Sequence, residues 1–223
     1  MAGLNAATER LLTGVRETGE MIAFKHTVFA LPFAIISLVT AAAPHWPTAR
    51  TWLWVAVAMV SARTAAMAFN RLADHRIDTE NPRTSGRALP AGRLSRSFAW
   101  AVTGISAAVF LSAATSLGPL CLVLAPPALV VLLGYSYAKR FTAASHLWLG
   151  LALGIAPVGA WIAVTGTIGW PVFLLAGAVA LWVAGFDVIY SLQDESFDRE
   201  HGLHSLPARV GGRRALALAR LFH

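Results

Sequence analysis

Asp and Glu are scarce in this 223-residue chain, and most of them fall in two short clusters of one design. The first contains Asn70, Asp74 and Asp78 at four-residue steps, with Glu80 behind them. The second contains Asp187, Tyr190, Asp194 and Asp198, with Glu195 and Glu200 alongside. Positions three and four apart lie on one helix face, so each cluster reads as a polar stripe at a helix end. Mg²⁺ favours carboxylate oxygens, usually one or two per ion, and completes its shell with phosphate and water. Two facing stripes would suit Mg²⁺ ions bridging a diphosphate. The alternative for either cluster taken singly is ordinary helix-end charge, paired with neighbouring arginines.

Basic residues stand where such a polyanion would need them. Arg83 and Arg87 lie in the stretch Asn81 to Gly92, whose Pro and Gly content marks a non-helical loop. Lys139 and Arg140 follow directly on Tyr135, Ser136 and Tyr137. Arginine forks onto phosphate oxygens and lysine acts as a point charge; the alternative role for each is a membrane-side anchor. Arg63 lies inside an apolar segment, on nearly the same helix face as Asn70, which predicts a side chain turned into the same cavity. His26, His75, His146, His201 and His204 show no metal-ligand spacing, so no zinc site is expected.

The elements that must position these residues are membrane spans. Hydrophobic residues make up 57% of the chain and charged ones 13%, about half the charged share of a soluble domain. Six stretches approach the ~20 apolar residues a spanning helix needs: Ile22–Ala43, Thr51–Phe69, Phe98–Ser116, Leu120–Tyr137, Leu147–Thr165 and Trp170–Tyr190. A partial seventh run starts near Ala215. The expected fold is therefore an all-α polytopic bundle, with an amphipathic segment over residues 1–20 and one membrane domain over 21–223. Gly150, Gly154 and Gly159 are expected to allow close helix packing, and Pro126, Pro127 and Pro157 to kink their helices. Cys121, the single cysteine, lies in an apolar run and reads as packing.

The net charge of +7 does not point to nucleic acid, because the basic residues sit in short loops between spans. The loops after the second, fourth and sixth spans carry most of the Lys and Arg. The positive-inside rule puts those loops, and both acid clusters, on the cytoplasmic face of a bacterial-type plasma membrane.

Taken together, these residues resemble the UbiA-type intramembrane prenyltransferases. The likeness rests on Asn70, Asp74 and Asp78, on Asp187, Tyr190, Asp194 and Asp198, on Thr84, Arg87, Leu89, Pro90 and Gly92, and on Tyr137, Lys139 and Arg140. The stretch His26 to Ala34 is similar to the 4-hydroxybenzoate polyprenyltransferase branch, which includes an enzyme of the futalosine route to menaquinone. The resemblance implies that Asp74, Asp78, Asp194 and Asp198 hold Mg²⁺ on a polyprenyl diphosphate. Arg63, Asn70, Arg83, Arg87, Lys139, Arg140, Asp187 and Tyr190 would then bind the substrates. It further implies transfer of the polyprenyl group to an aromatic acceptor in ubiquinone or menaquinone biosynthesis. Nine spans in the family, against six and a part here, imply that the domain is C-terminally incomplete. Rival expectations are a divalent-cation transporter, which would place ligands nearer the midplane, and a CDP-alcohol phosphotransferase, whose Asp-Gly-x2-Ala-Arg element is absent here.

The loop charges generate a direct expectation about sidedness. Cysteines placed at Ser95, Ala144 and Leu203 should react only with reagent admitted to the cytoplasm. Labelling from outside intact cells would reverse the orientation.

Overall fold

A computed structural model describes residues 17–21 and 30–223. The helices, in order, are α1 (Leu31–Ala42), α2 (Ala49–Ala73), α3 (His75–Glu80), α4 (Arg96–Leu117), α5 (Pro119–Ala138), α6 (Ser145–Thr165) and α7 (Trp170–Ser191). One 3₁₀ turn (Leu192–Asp194) leads into α8 (Glu195–Glu200), followed by α9 (Leu206–Val210) and α10 (Gly212–Phe222). No strand occurs among the described residues. Among the described residues, five helices are long and apolar enough to cross a bilayer: α2, α4, α5, α6 and α7 with its continuation to Glu200. The first expected span is described from Leu31 onward, and its earlier part lies outside the described residues. The partial seventh run forms α10, which packs Ala215 and Ala219 against Val188 of α7.

Local chemistry sets the helix starts. Thr48 accepts a hydrogen bond from the amide of Thr51 at the head of α2, and Ser95 accepts from Phe98 at the head of α4. Such caps satisfy amides that have no partner inside the helix. Packing follows membrane rules. Buried positions are held by small residues such as Ala65, Ala68, Ala99, Ala113 and Ala152, while Val123, Val130, Ile105 and Leu174 are exposed. Large apolar side chains outside and small ones between helices suit lipid contact with close helix approach.

Helices α6 and α7 approach each other closely at two glycines. A Cβ added at Gly150 would stand 2.1 Å from the carbonyl oxygen of Ala180, and one at Gly154 would stand 2.9 Å from that of Ala176. Gly159 differs from the expectation, since a Cβ there meets nothing within 4 Å. It lies off the α6–α7 contact line. Helices α5 and α6 run through Pro126, Pro127 and Pro157 without interruption. The Pro157 carbonyl accepts a 2.6 Å hydrogen bond from Ser37 Oγ, tying α1 to α6.

The amphipathic segment lies mostly outside the described residues. At its end Glu17 pairs with Arg93 at 2.8 Å, and Met21, the first residue after it, is buried with Ala68, Leu72, Leu89 and Ala99.

Gly150→Ala should therefore destabilise the bundle by about 1–3 kcal/mol, as overpacked sites do. Gly159→Ala should be neutral or gain up to ~1 kcal/mol of helix propensity. Thermal unfolding of both variants in one detergent checks the contrast.

Candidate functional site

The acid stripes survive folding because the backbone stays nearly helical through them. Asp74 closes α2 and opens α3: its amide donates to Asn70 O at 2.8 Å, and the Asp78 amide donates to Asp74 O at 2.7 Å. Asn70, Asp74 and Asp78 thus keep one face. In the second cluster the 3₁₀ turn lies between Tyr190 and Asp198 and carries Asp194.

Each of the four expected metal-holding acids meets a basic side chain. Arg83 forks onto Asp194, with Nε 2.8 Å from Oδ1 and Nη2 2.5 Å from Oδ2. Arg87 Nη1 donates to both oxygens of Asp78, at 2.7 and 2.8 Å. Arg140 Nη2 donates to Asp74 Oδ1 at 3.2 Å and also to the carbonyl of Ala73. Lys139 Nζ stands 2.7 Å from Asp198 Oδ1. Only Asp78–Arg87 is close in sequence; the other pairs join different helices and loops.

The adjacent Lys139 and Arg140 bridge the two halves, and so does one loop. Asn81, the residue that ends α3, donates from Nδ2 to Asp194 Oδ1 at 3.0 Å, and Arg83 contacts both Asp194 and the Tyr190 hydroxyl. Thr84 Oγ1 donates to the Asp78 carbonyl at 3.1 Å, holding the same loop to the first cluster. The acid-bearing helices are joined there by loop and ion pairs, while α2 packs chiefly on α4 and α7 on α6. A cavity of about 230 Å³ opens beside this loop, lined by Arg71, Arg83, Arg87, Arg93, Met21 and Leu89 among others.

Asp198 has the chemistry to take a divalent cation. Asp198 is 1% exposed, and neither carboxylate oxygen takes a hydrogen bond. Lys139 lies near enough to balance its charge but not at an angle that makes a hydrogen bond. A buried carboxylate in that state has lone pairs to spare. Among the described residues no three His, Cys, Asp or Glu side chains converge to hold an ion by themselves. A bound Mg²⁺ would draw the rest of its shell from phosphate and water.

The fold and sequence have known relatives. The profile of the UbiA prenyltransferase family matches residues 30–223. The chain belongs to that family. It is 30% identical over 209 residues to a 4-hydroxybenzoate octaprenyltransferase of Vibrio campbellii, covering 92% of this chain and 70% of that protein. It is 35% identical over 136 residues to a 4-hydroxybenzoate solanesyltransferase of Synechocystis, covering 61% of this chain and 47% of that one. In structure it is similar to the UbiA homologue of Aeropyrum pernix K1, with a TM-score of 0.83, 40% identity, and coverage of 89% of this chain and 74% of that one. A UbiA homologue of Archaeoglobus fulgidus, bound to GPP and Mg²⁺, shares the fold at a TM-score of 0.75 and 20% identity, covering 92% of this chain and 73% of that one. The chain is an integral membrane protein of this family.

Within the UbiA fold, the other expected residues lie as follows. Asn70 Nδ2 donates to Asp74 at 2.8 Å. Arg63 is mostly buried, and its Nε finds no partner among the described residues, which suits a side chain turned inward. Tyr190 is half-exposed under the Arg83 guanidinium, 5.6 Å from its ring centre. Asp187 accepts a 2.6 Å hydrogen bond from His146 Nδ1. Sequence reasoning missed His146, Asn81 and Arg71. Arg71 Nη1 lies 3.9 Å from Asp78. No spacing signals His146, because its partner lies 41 residues away on another helix.

Burial, and then the charge of Asp78, raise the Asp74 carboxyl above the usual carboxylate range, against the pull of Arg140 and Asn70. Arg83 is held above its ordinary value by its hydrogen bond to Asp194, against the burial that lowers it. Metal binds the ionised carboxylate, so protons compete for a raised Asp74 at a higher pH than for an ordinary aspartate. Mn²⁺ affinity, read by electron paramagnetic resonance in the presence of a prenyl thiodiphosphate, should therefore begin to fall above the ordinary carboxylate range as pH drops. Asp74→Asn should remove that dependence along with most of the affinity.

Proposed function

We propose that the protein transfers a prenyl group from a prenyl diphosphate to an aromatic acceptor of the 4-hydroxybenzoate class, with Mg²⁺, at the cytoplasmic face of the membrane. The observation that carries this reading is the set of four buried or half-buried carboxylates, each matched to a basic side chain, in a chain of the UbiA prenyltransferase family. The relatives in Vibrio and Synechocystis bear the names of 4-hydroxybenzoate prenyltransferases, and the Archaeoglobus fulgidus homologue holds GPP and Mg²⁺ in the same fold.

The residues divide into two sets by what they can exchange. Asp74, Asp78, Asp194 and Asp198 would hold the metal, and Arg83, Arg87, Lys139 and Arg140 would turn to the phosphate oxygens. The basic side chains are about one-third exposed and the acids mostly less, so the cations stand at the mouth and the carboxylates below. Bound Mg²⁺ supplies Lewis-acid stabilisation of charge on the departing diphosphate. Arginine forks add preorganised donors to the same oxygens, the electrostatic effect that lowers the barrier to breaking the allylic C–O bond. The new C–C bond forms at the acceptor ring, whose displaced proton must pass to a base. A dry apolar cavity would keep water from the reacting cation.

Membranes carrying the chain, given labelled prenyl diphosphates and a panel of aromatic acids, should form a prenylated aromatic product only with Mg²⁺ or Mn²⁺. Asp194→Asn and Arg87→Ala should each lower turnover by about 100-fold or more, the scale seen when one transition-state contact is lost. Metal-independent product, or full activity in either variant, would overturn the assignment.

A further inference from the structure

His146 lies at the second position of α6 and is 4% exposed, so its two ring nitrogens must both be satisfied within the protein. They are. The Leu206 amide donates to Nε2 at 3.1 Å, which leaves no room for a proton on that nitrogen. The proton therefore sits on Nδ1, and Nδ1–H donates to Asp187 Oδ2 at 2.6 Å. The ring is neutral, and its orientation is fixed at both ends.

The segment that fixes it also touches the metal-site elements. Gly202, at φ +66, turns the chain after α8 in the left-handed region that glycine adopts without strain. The next amides then donate outward in turn: Leu203 to Asp198 O at 2.8 Å, His204 to Lys139 O at 2.7 Å, and Leu206 to His146. Ser205, between them, is fully buried. One four-residue strap thus holds the backbone of Asp198, the backbone of Lys139 and the ring of His146 in register.

Asp187 differs from the four paired carboxylates. Among the described residues its side chain bonds only to a neutral imidazole, through Oδ2; it is 30% exposed, and Oδ1 has no hydrogen-bond partner there. It lies within electrostatic reach of Tyr135, as do Arg63, Arg71 and Asp74. A carboxylate oriented through one oxygen can present the other to a substrate donor.

We propose that His146 is a positioning residue, locked as the Nδ1–H tautomer by the 203–206 strap, that orients Asp187 toward a hydrogen-bond donor on the aromatic acceptor. The inference rests on the prenyl-transfer reading of the site. It joins acceptor handling to the docked state of the strap that follows the second acid cluster.

Two substitutions separate the two ends of the ring. In His146→Asn the new side-chain amide reaches the Nδ1 position and can still donate to Asp187, but it gives up Leu206. His146→Gln reaches the Nε2 position and can still accept from Leu206, but it gives up Asp187. His146→Gln should lower kcat/KM for the acceptor roughly tenfold or more, the scale for a hydrogen-bonded support of a functional ligand. Its KM for the prenyl diphosphate should stay within about twofold. His146→Asn should restore most of the acceptor kcat/KM. Equal loss in both variants, loss in His146→Asn only, or wild-type kinetics in both would overturn the assignment. A reading independent of turnover is the histidine ¹⁵N spectrum of the full chain in lipid nanodiscs. It should show one ring with Nδ1 protonated and Nε2 bare, displaced by Asp187→Asn; a ring protonated at Nε2, or unmoved by that change, overturns it. Absent prenyl transfer by the wild-type chain would remove the prenyl-transfer reading instead, and the spectrum would still decide the tautomer and its tie to Asp187.

Discussion

The site depends on one constraint: carboxylates set at the ends of membrane helices must have their charge balanced. Burying an uncompensated carboxylate costs several kcal/mol, even after relaxation. Here each buried acid is compensated by a basic residue drawn mostly from a different element. That requirement pulls the Asn81–Arg83 stretch onto Asp194, sets Lys139 against Asp198 and brings Arg140 back to Asp74. The ends of α2, α5 and α7 are held together by these ion pairs at the membrane face.

On the proposed reading, the same pairing would let the site exchange its partners. The acids and cations balance one another before ligands arrive, and a metal–diphosphate complex presents both signs of charge at once. Metal can replace guanidinium and ammonium on the carboxylates while phosphate replaces carboxylate on the cations. Asp198 is the residue most ready for this exchange, since its oxygens are buried yet carry no hydrogen bonds. Arg83 is the least ready, because its fork onto Asp194 is bidentate and short.

Much of this was legible in the sequence, for a physical reason. The four-residue spacing of Asn70, Asp74 and Asp78 has meaning only if the helix persists, and the Asp78 amide bonding back to Asp74 O shows that it does. Apolar runs of spanning length likewise translate into helices with few alternatives in a bilayer. Pairings across the fold were not legible. Asp194 and Arg83 are 111 residues apart, and His146 reaches Asp187 and Leu206 from a third helix. Spacing also could not separate Gly150 and Gly154, which face an Ala180 or Ala176 carbonyl, from Gly159, which faces open space. Helix phase decides that, and a run of small residues does not reveal which of them lies on the contact line.

The central claim is that both acid clusters serve one metal–diphosphate complex by exchanging their protein cations for it. The direct measurement is a structure of the full chain in nanodiscs with Mg²⁺ and an unreactive prenyl thiodiphosphate. A shared site predicts metal density on Asp198 and on at least one acid of the first cluster, with Arg87 and Lys139 moved from their carboxylates to phosphate oxygens. A diphosphate bound elsewhere, with the Asp78–Arg87, Asp194–Arg83 and Asp198–Lys139 pairs intact, would contradict it.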